Sequence, residues 1–170
     1  MKVNDFNADL QYSLDQKECE MLDAFYCREF PNICRIELIE DLERQRRGMD
    51  KILHFNSGYQ ISLDEKKRRK DYGDILLETW SQYENDRRGW LYSAQCDYIV
   101  YAIMPTQTVY LLPVLLLKKA WHNKRDAWLG AYEEVQSHNK NYTTINIAIP
   151  IKVLMEAIQA EMKLSLEEVI

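Results

Sequence analysis

Apolar and polar residues alternate over residues 59–66, and this pattern predicts a β-strand. Because side chains alternate across a strand with a period of two, the apolar residues share one face and the polar ones, including Asp64 and Lys66, share the other. Residues 48–55 predict a preceding strand, and the Asn-Ser-Gly sequence at residues 56–58 is typical of a tight turn. The pattern therefore predicts a β-hairpin.

Two carboxylates and a lysine are brought together by this hairpin. Asp50 lies on the first strand, at a position from which it can reach Asp64 and Lys66 on the second. Paired carboxylates are the hard oxygen ligands that Mg²⁺ prefers, and a neighbouring lysine can stabilise developing negative charge. The alternative pairing, Glu65 with Lys67, shares a face with the apolar residues, so the alternation favours Asp64 with Lys66. Glu65 stays among the candidate metal ligands.

The order helix, strand with aspartate, strand with (D/E)-x-K and further strand resembles the PD-(D/E)XK nuclease superfamily, which has the restriction-endonuclease-like fold. The resemblance implies that Asp50 and Asp64 bind Mg²⁺ or Mn²⁺ and that Lys66 lies beside the scissile phosphate. Met49 stands where the proline of the family name would be. Small phage and mobile-element proteins assigned to this fold are similar to this chain in residues 45–78, Gly89-Trp90 and residues 97–101.

Two further acids are candidates for the same site. Residues 13–29 predict a first helix with Ser13 as N-cap, and Glu18 on its apolar face resembles an accessory carboxylate of the superfamily. A surface salt bridge is the other interpretation of Glu18. Glu78, on a strand predicted for residues 74–80, either completes the catalytic site as a metal or water ligand or balances the nearby basic residues. Both interpretations of Glu78 stay open.

Basic residues flank both candidate catalytic strands, although the net charge of the chain is −5. Positive charge is therefore concentrated where a phosphate backbone would lie, and a solvated loop is the other interpretation of the second run. The candidate nucleic-acid-binding residues are Arg46, Arg47, Lys67, Arg68, Arg69 and Lys70. Five aromatic residues follow the second run, and one or two of them could stack on unpaired bases while the rest pack in the core. They are Tyr72, Trp80, Tyr83, Trp90 and Tyr92.

The cysteines and histidines do not predict a zinc site, because the sequence has no C-x-x-C pair and its three histidines are scattered. His54 shares a strand with Asp50, so it either approaches the site or lies at the strand end near the turn. The polar N-terminus does not resemble a secretory signal, which predicts a cytoplasmic protein with reduced thiols. The apolar run at residues 109–117 contains Pro113 and is too short for a membrane span.

The rest of the chain predicts scaffold. We expect a first strand or a helix at residues 33–42, a short helix after Gly89, a buried strand at residues 97–104 and an edge strand at residues 108–112. A helix should follow Pro113, and a late strand should lead into a last helix at Pro150. With 170 residues, 46% hydrophobic and 29% charged, the chain is predicted to be one globular α/β domain spanning residues 1–170, with a central mixed β-sheet flanked by helices.

Two functions follow from these observations. The first is a Mg²⁺-dependent endonuclease that hydrolyses phosphodiester bonds in DNA, and a homodimer would place two such sites on two strands. The second is a non-catalytic phage or defence-associated module that binds protein on a nuclease-like fold, because fold alone does not determine function. The pair of aspartates with Lys66 favours the nuclease, and the net acidity favours the interaction module.

Overall fold

The computed structural model describes residues 16–163, with side chains from Cys19 onward. The predicted N-cap Ser13 and the side chain of Glu18 lie outside the described part. Five α-helices are present in that part: α1 (Gln16–Glu29), α2 (Leu42–Arg46), α3 (Trp90–Ser93), α4 (Val114–Ala131) and α5 (Ile151–Ala160). None of these helices is both long and apolar enough to cross a membrane.

The first sheet is mixed and has five strands. The strands are β1 (Ile33–Leu38), β2 (Lys51–Phe55), β3 (Gln60–Arg68), β6 (Tyr98–Ile103) and β7 (Thr108–Pro113). Their order in the sheet is β1-β2-β3-β6-β7, where β3 and β6 are parallel and the other neighbours are antiparallel. The predicted hairpin is confirmed, since Lys51 pairs with Leu63 and His54 with Gln60.

A second, antiparallel sheet has four strands: β4 (Asp74–Gln82), β5 (Arg87–Arg88), β8 (Glu134–His138) and β9 (Thr143–Pro150). Their order in the sheet is β5-β4-β9-β8. The α/β class and the mixed central sheet are confirmed, but the division into two sheets was not predicted. Strand β8 was also missed, because Val135 is its one strongly apolar residue and an exposed polar strand carries almost no hydrophobic signal.

The core consists of two apolar clusters on opposite faces of the first sheet. Strand β6 contributes to both, because alternate side chains of a buried strand point in opposite directions. Val100 and Ala102 pack with α1 residues such as Tyr26. Ile99 and Ile103 pack with the second sheet and the helices α4 and α5. The two sheets therefore share the second of these clusters. It holds the second sheet against β6, the strand that lies next to β3.

Candidate active site

Asp50 is fixed beside the middle of β3 by two backbone interactions. Its own N–H donates to the carbonyl of Leu63 at 2.8 Å, and its Oδ2 accepts from the N–H of Glu65 at 2.8 Å. The residue between these two partners is Asp64. Asp50 is therefore held against the segment of β3 that carries Asp64, as the sequence predicted, although β2 begins at Lys51 and Asp50 lies just before it rather than within the predicted strand.

Lys66 lies two residues after Asp64 on the same face of β3 and donates from Nζ to Asp64 Oδ1 at 2.6 Å. Burial alone would lower the pKa of this lysine. The negative charges of Asp64, Asp50 and Glu78 outweigh that effect and raise its pKa above the ordinary range. Lys66 is therefore an ammonium held among three carboxyl groups.

Asp64 is the most constrained acid of the group. It is 1% exposed, and its Oδ2 is the one buried side-chain oxygen or nitrogen in the described residues that lacks a hydrogen-bond partner. Burial raises the pKa of Asp64 to about 6, and the charge of Asp50 adds to this rise while Lys66 opposes it. A buried carboxylate oxygen without a donor is costly unless a cation binds it.

Gly48 leaves the space in front of that oxygen open. Its φ of +72° is a conformation that glycine adopts without strain. A Cβ at this position would lie 3.0 Å from Asp64 Oδ2 and 3.3 Å from the Cα and Cβ of Ala94. A larger residue at position 48 would therefore fill the space beside the free oxygen.

Glu78 reaches the same site from the second sheet. Its Oε1 accepts from the N–H of Trp90 at 3.1 Å, at the start of α3. Burial raises the pKa of Glu78, although the charge of Lys66, the hydrogen bond from Trp90 and the charge of Arg87 all lower it. The interpretation of Glu78 as a member of the site is consistent with this position.

Gly89 allows Glu78 and α3 to approach each other. A Cβ at position 89 would lie 2.2 Å from the carbonyl oxygen of Glu78 and 2.7 Å from its Cγ. The Gly89→Ala substitution must displace this backbone, so we expect it to lower stability by about 2 kcal/mol or more. Thermal unfolding followed by circular dichroism measures the effect.

Gly130→Ala is the matched control, because a Cβ there meets nothing within 4 Å and the residue lies in helix α4. Alanine is the better helix former, so this variant should be unchanged or up to about 1 kcal/mol more stable. Equal melting temperatures for the two variants would contradict the close packing at Gly89.

Asp64, Lys66 and Glu78 line a cleft of about 490 Å³ whose walls come from both sheets and from α2 and α3. Asp50 is not among its lining residues. The other charged residues that line it are exposed: Arg46, Asp86, Arg87 and Arg88. The lining is therefore mixed in charge, with four basic and three acidic side chains.

The structure does not bring Glu65 to this cleft. Its Oε1 accepts from the Tyr26 hydroxyl at 2.8 Å and pairs with Lys51 Nζ at 2.9 Å, on the face of β3 that packs against α1. The physical reason is the two-residue period, which sends the side chains of Asp64 and Glu65 to opposite faces. The interpretation of Glu65 as a metal ligand is therefore corrected to a structural ion pair.

The second basic run is divided in the same way. Lys67 Nζ contacts Cys19 Sγ at 3.3 Å beside α1, and Arg68 is paired with Asp74 and donates to the Tyr101 hydroxyl at 3.1 Å. Neither side chain is placed to meet a phosphate in the cleft. Arg69 and Lys70 are exposed at the end of β3.

Of the first basic run, Arg46 lines the cleft, whereas Arg47 pairs with Glu43 along α2. His54 contacts Glu37 at 2.8 Å and Arg35 at 2.9 Å, so it belongs to a partly buried charged group on β1 and β2 and does not line the cleft. The basic residues that the sequence interpretation missed are Arg87 and Arg88. The sequence signal for them is the Arg-Arg pair directly before Gly89.

The donor set fits Mg²⁺ better than a metal held wholly by protein. Residues 16–163 contain no group of three or more histidine, cysteine, aspartate or glutamate side chains arranged to hold a metal ion. Mg²⁺ usually keeps several waters and binds through one or two carboxylates. Asp50 and Asp64, with the free Oδ2 facing the space beside Gly48, meet that requirement.

No protein-family model matches this chain, and comparison with curated proteins and with solved structures gives no significant match. What the chain offers toward a function is therefore its own geometry. That geometry is a cleft lined by Asp64 with its free buried oxygen, by Lys66 and Glu78, and by three arginines, with Asp50 held against β3 beside Asp64.

Proposed function

We propose that this protein is a Mg²⁺-dependent endonuclease that hydrolyses phosphodiester bonds in DNA. The observation that carries the proposal is Asp64, whose buried Oδ2 lacks a donor and whose Oδ1 is bonded to Lys66. The Lys66 ammonium already pairs with this buried carboxylate at Oδ1, which leaves Oδ2 as the oxygen open to a metal ion. The neighbouring Asp50 would supply the second ligand of a phosphodiesterase site.

Asp50 and Asp64 would hold the metal ion. When bound, Mg²⁺ supplies a Lewis acid and lowers the pKa of water at the reacting phosphate. The backbone bonds of Asp50 to Leu63 and Glu65 keep the two carboxylates in place, so little reorganisation is needed.

Lys66 places a permanent positive charge in the cleft, where it would stabilise the charge that develops on the phosphate oxygens. Glu78 has a carboxyl group with a raised pKa on the other side of Lys66, and its Oε1 is held by the N–H of Trp90. It is positioned to accept a hydrogen bond from a water molecule in the cleft. Glu78 would thus orient the attacking water.

The cleft walls favour a polyanion despite the acidic composition of the chain. Arg46 of α2 and Arg87 and Arg88 of the edge strand β5 line the cleft, together with Asp86. Local positive charge determines phosphate binding more than net charge does, because each contact releases a condensed counterion. A nucleic-acid backbone is therefore the substrate that the cleft fits best.

Cleavage of linear, circular, single-stranded and branched DNA by the purified protein in Mg²⁺ or Mn²⁺ tests the proposal. We expect metal-dependent cutting that falls at least about 100-fold in Asp50→Asn and in Lys66→Met, because each variant removes charge at the reacting phosphate. The matched controls, Asp126→Asn and Lys152→Met, change exposed residues outside the cleft and should cut like the unmodified protein.

No cutting on any of these substrates, with folded protein and added metal, would overturn the nuclease. That result would favour a non-catalytic interaction module on the same fold.

A further inference from the structure

A row of four residues crosses the second sheet from the cleft to a separate pocket. Arg88 on β5 pairs with Trp80 on β4, Trp80 pairs with Ile145 on β9, and Ile145 pairs with Gln136 on β8. Directly paired residues present their side chains on the same face of a sheet. The row therefore starts at the cleft wall and ends on the far strand of the second sheet.

The far end of this row is a pocket of about 260 Å³. Its lining combines two aromatic rings with amide, hydroxyl and carboxylate groups, from Trp80, Tyr83, Glu134, Gln136, Thr143 and Ile145. The Tyr83 residue is 55% exposed, and its ring meets Trp80 edge-on with 5.6 Å between the centroids. An exposed aromatic ring beside polar groups is a stacking surface for a flat, hydrogen-bonding ligand.

The pocket and the cleft share one wall. The Arg88 guanidinium carbon lies 3.7 Å from the centroid of the Trp80 ring and 5.3 Å from that of Tyr92. Arg88 lines the cleft, and Trp80 lines the pocket. A ligand that extends across this wall would therefore meet positive charge on one side and an aromatic surface on the other.

The two sides differ in charge, because the lysine and arginines of the cleft have no counterpart in the lining of the pocket. The pocket holds Glu134, and at its edge Glu84 accepts hydrogen bonds from Thr143 N and Oγ1, both at 2.7 Å. These bonds lower the pKa of Glu84 and keep it charged. Acidic groups repel a phosphate but accept hydrogen bonds from amino groups and ring N–H groups, so the pocket suits a base and the cleft suits the backbone.

We propose that this pocket holds one unpaired nucleobase of the substrate while the neighbouring phosphate lies in the cleft. The assignment rests on the proposed function of the cleft. The pocket is slightly smaller than those that take drug-sized ligands, about 300–1,000 Å³, which suits one base. A base inside a continuous duplex is stacked and cannot enter, so the substrate class is DNA with an unpaired nucleotide, as in a bulge or a single strand.

Binding by the Asp64→Asn protein tests this separately from cutting. The probes are a fluorescein-labelled duplex and the same duplex with one unpaired adenine, compared by fluorescence anisotropy at fixed salt. Stacking of one base changes affinity by about fivefold to a hundredfold. We expect the unpaired adenine to improve the dissociation constant within that range, and Tyr83→Ala in the same background to remove the improvement.

Two variants control for the ring and for general surface effects. Tyr83→Phe keeps the stacking surface and should keep the preference. Tyr59→Ala removes a tyrosine of similar exposure, 65%, at a residue that does not line the pocket, and should also keep it. Melting temperatures of all variants establish that each one is folded.

The outcomes separate the two proposals. Equal affinity for both probes, or a preference that survives in Tyr83→Ala, would overturn the base pocket even if the unmodified protein cuts DNA in Mg²⁺. A Tyr83-dependent preference without any cutting in Mg²⁺ would retain the pocket and overturn the nuclease. Failure of folded Asp64→Asn protein to bind either probe would overturn the base pocket as well.

Discussion

Asp64→Asn should make the metal-free protein more stable at pH 8 while it removes metal-dependent cleavage. The carboxylate is buried, and one of its oxygens lacks a donor, so its negative charge is a cost that the folded state bears without metal. Asparagine removes that charge and can still accept from Lys66 through Oδ1. We expect a gain of about 1–2 kcal/mol, or on the order of 2–8 °C in melting temperature.

The stability difference between the two proteins should depend on pH through the ionisation of Asp64. The pKa of Asp64 is about 6 in the folded protein, against 3.8 for an unperturbed aspartate, so the folded state binds the proton more tightly. The cost of ionisation is therefore absent below about pH 4, develops as the pH rises to about 6 and is complete above it. The advantage of Asp64→Asn should be largest at pH 8 and should shrink toward pH 4.

Mg²⁺ should reverse the order of stability, so that the unmodified protein becomes more stable than Asp64→Asn. An ion that binds the folded state raises the melting temperature of the unmodified protein, and Asp64→Asn should lose most of that rise. Asp126→Asn is the control, because it is an exposed aspartate that should respond to pH and Mg²⁺ like the unmodified protein. An Asp64→Asn protein that is less stable at pH 8, or equally stabilised by Mg²⁺, would contradict the site.

Lys51→Met should lower the stability of the fold by about 3–5 kcal/mol, the cost of leaving a buried charge without its partner. The Lys51 side chain is 5% exposed and lies between Asp23 at 2.6 Å and Glu65 at 2.9 Å, and the Glu65 side chain is 7% exposed. Without the ammonium, the Glu65 carboxylate keeps the hydrogen bond from Tyr26 but has no counter-charge. Chemical denaturation at pH 7 measures the loss.

The double variant Lys51→Met with Glu65→Gln should recover much of that stability, because it removes both buried charges together. It should also retain metal-dependent cleavage, since neither side chain lines the cleft. The exposed control Lys152→Met should change stability by less than about 1 kcal/mol. A double variant as unstable as the single one would show that the pair is not the source of the loss.

Short-range patterns in the sequence were enough to predict the part of the site that depends on local structure. The alternation of residues 59–66 and the turn before it are short-range signals, and they placed Asp64 and Lys66 on one face of β3 with Asp50 beside them. The same period places Glu65 on the other face, so the interpretation of Glu65 as a metal ligand disagreed with that pattern. A hairpin forms between neighbouring segments of the chain, so the register of its two strands can be predicted from sequence.

The rest of the site depends on how distant segments of the chain pack together, and local sequence patterns do not encode that packing. The second sheet brings Glu78 and the N–H of Trp90 to the cleft, and no local pattern in residues 74–80 indicates that position. The sequence predicted Arg68 as a phosphate contact, but its side chain pairs with Asp74 and donates to the Tyr101 hydroxyl. Arg87 and Arg88 instead line the cleft, from the short edge strand β5. A charged residue shows no periodic pattern that identifies its partner. Ion pairs and the lining of the cleft therefore depend on which strands lie next to each other.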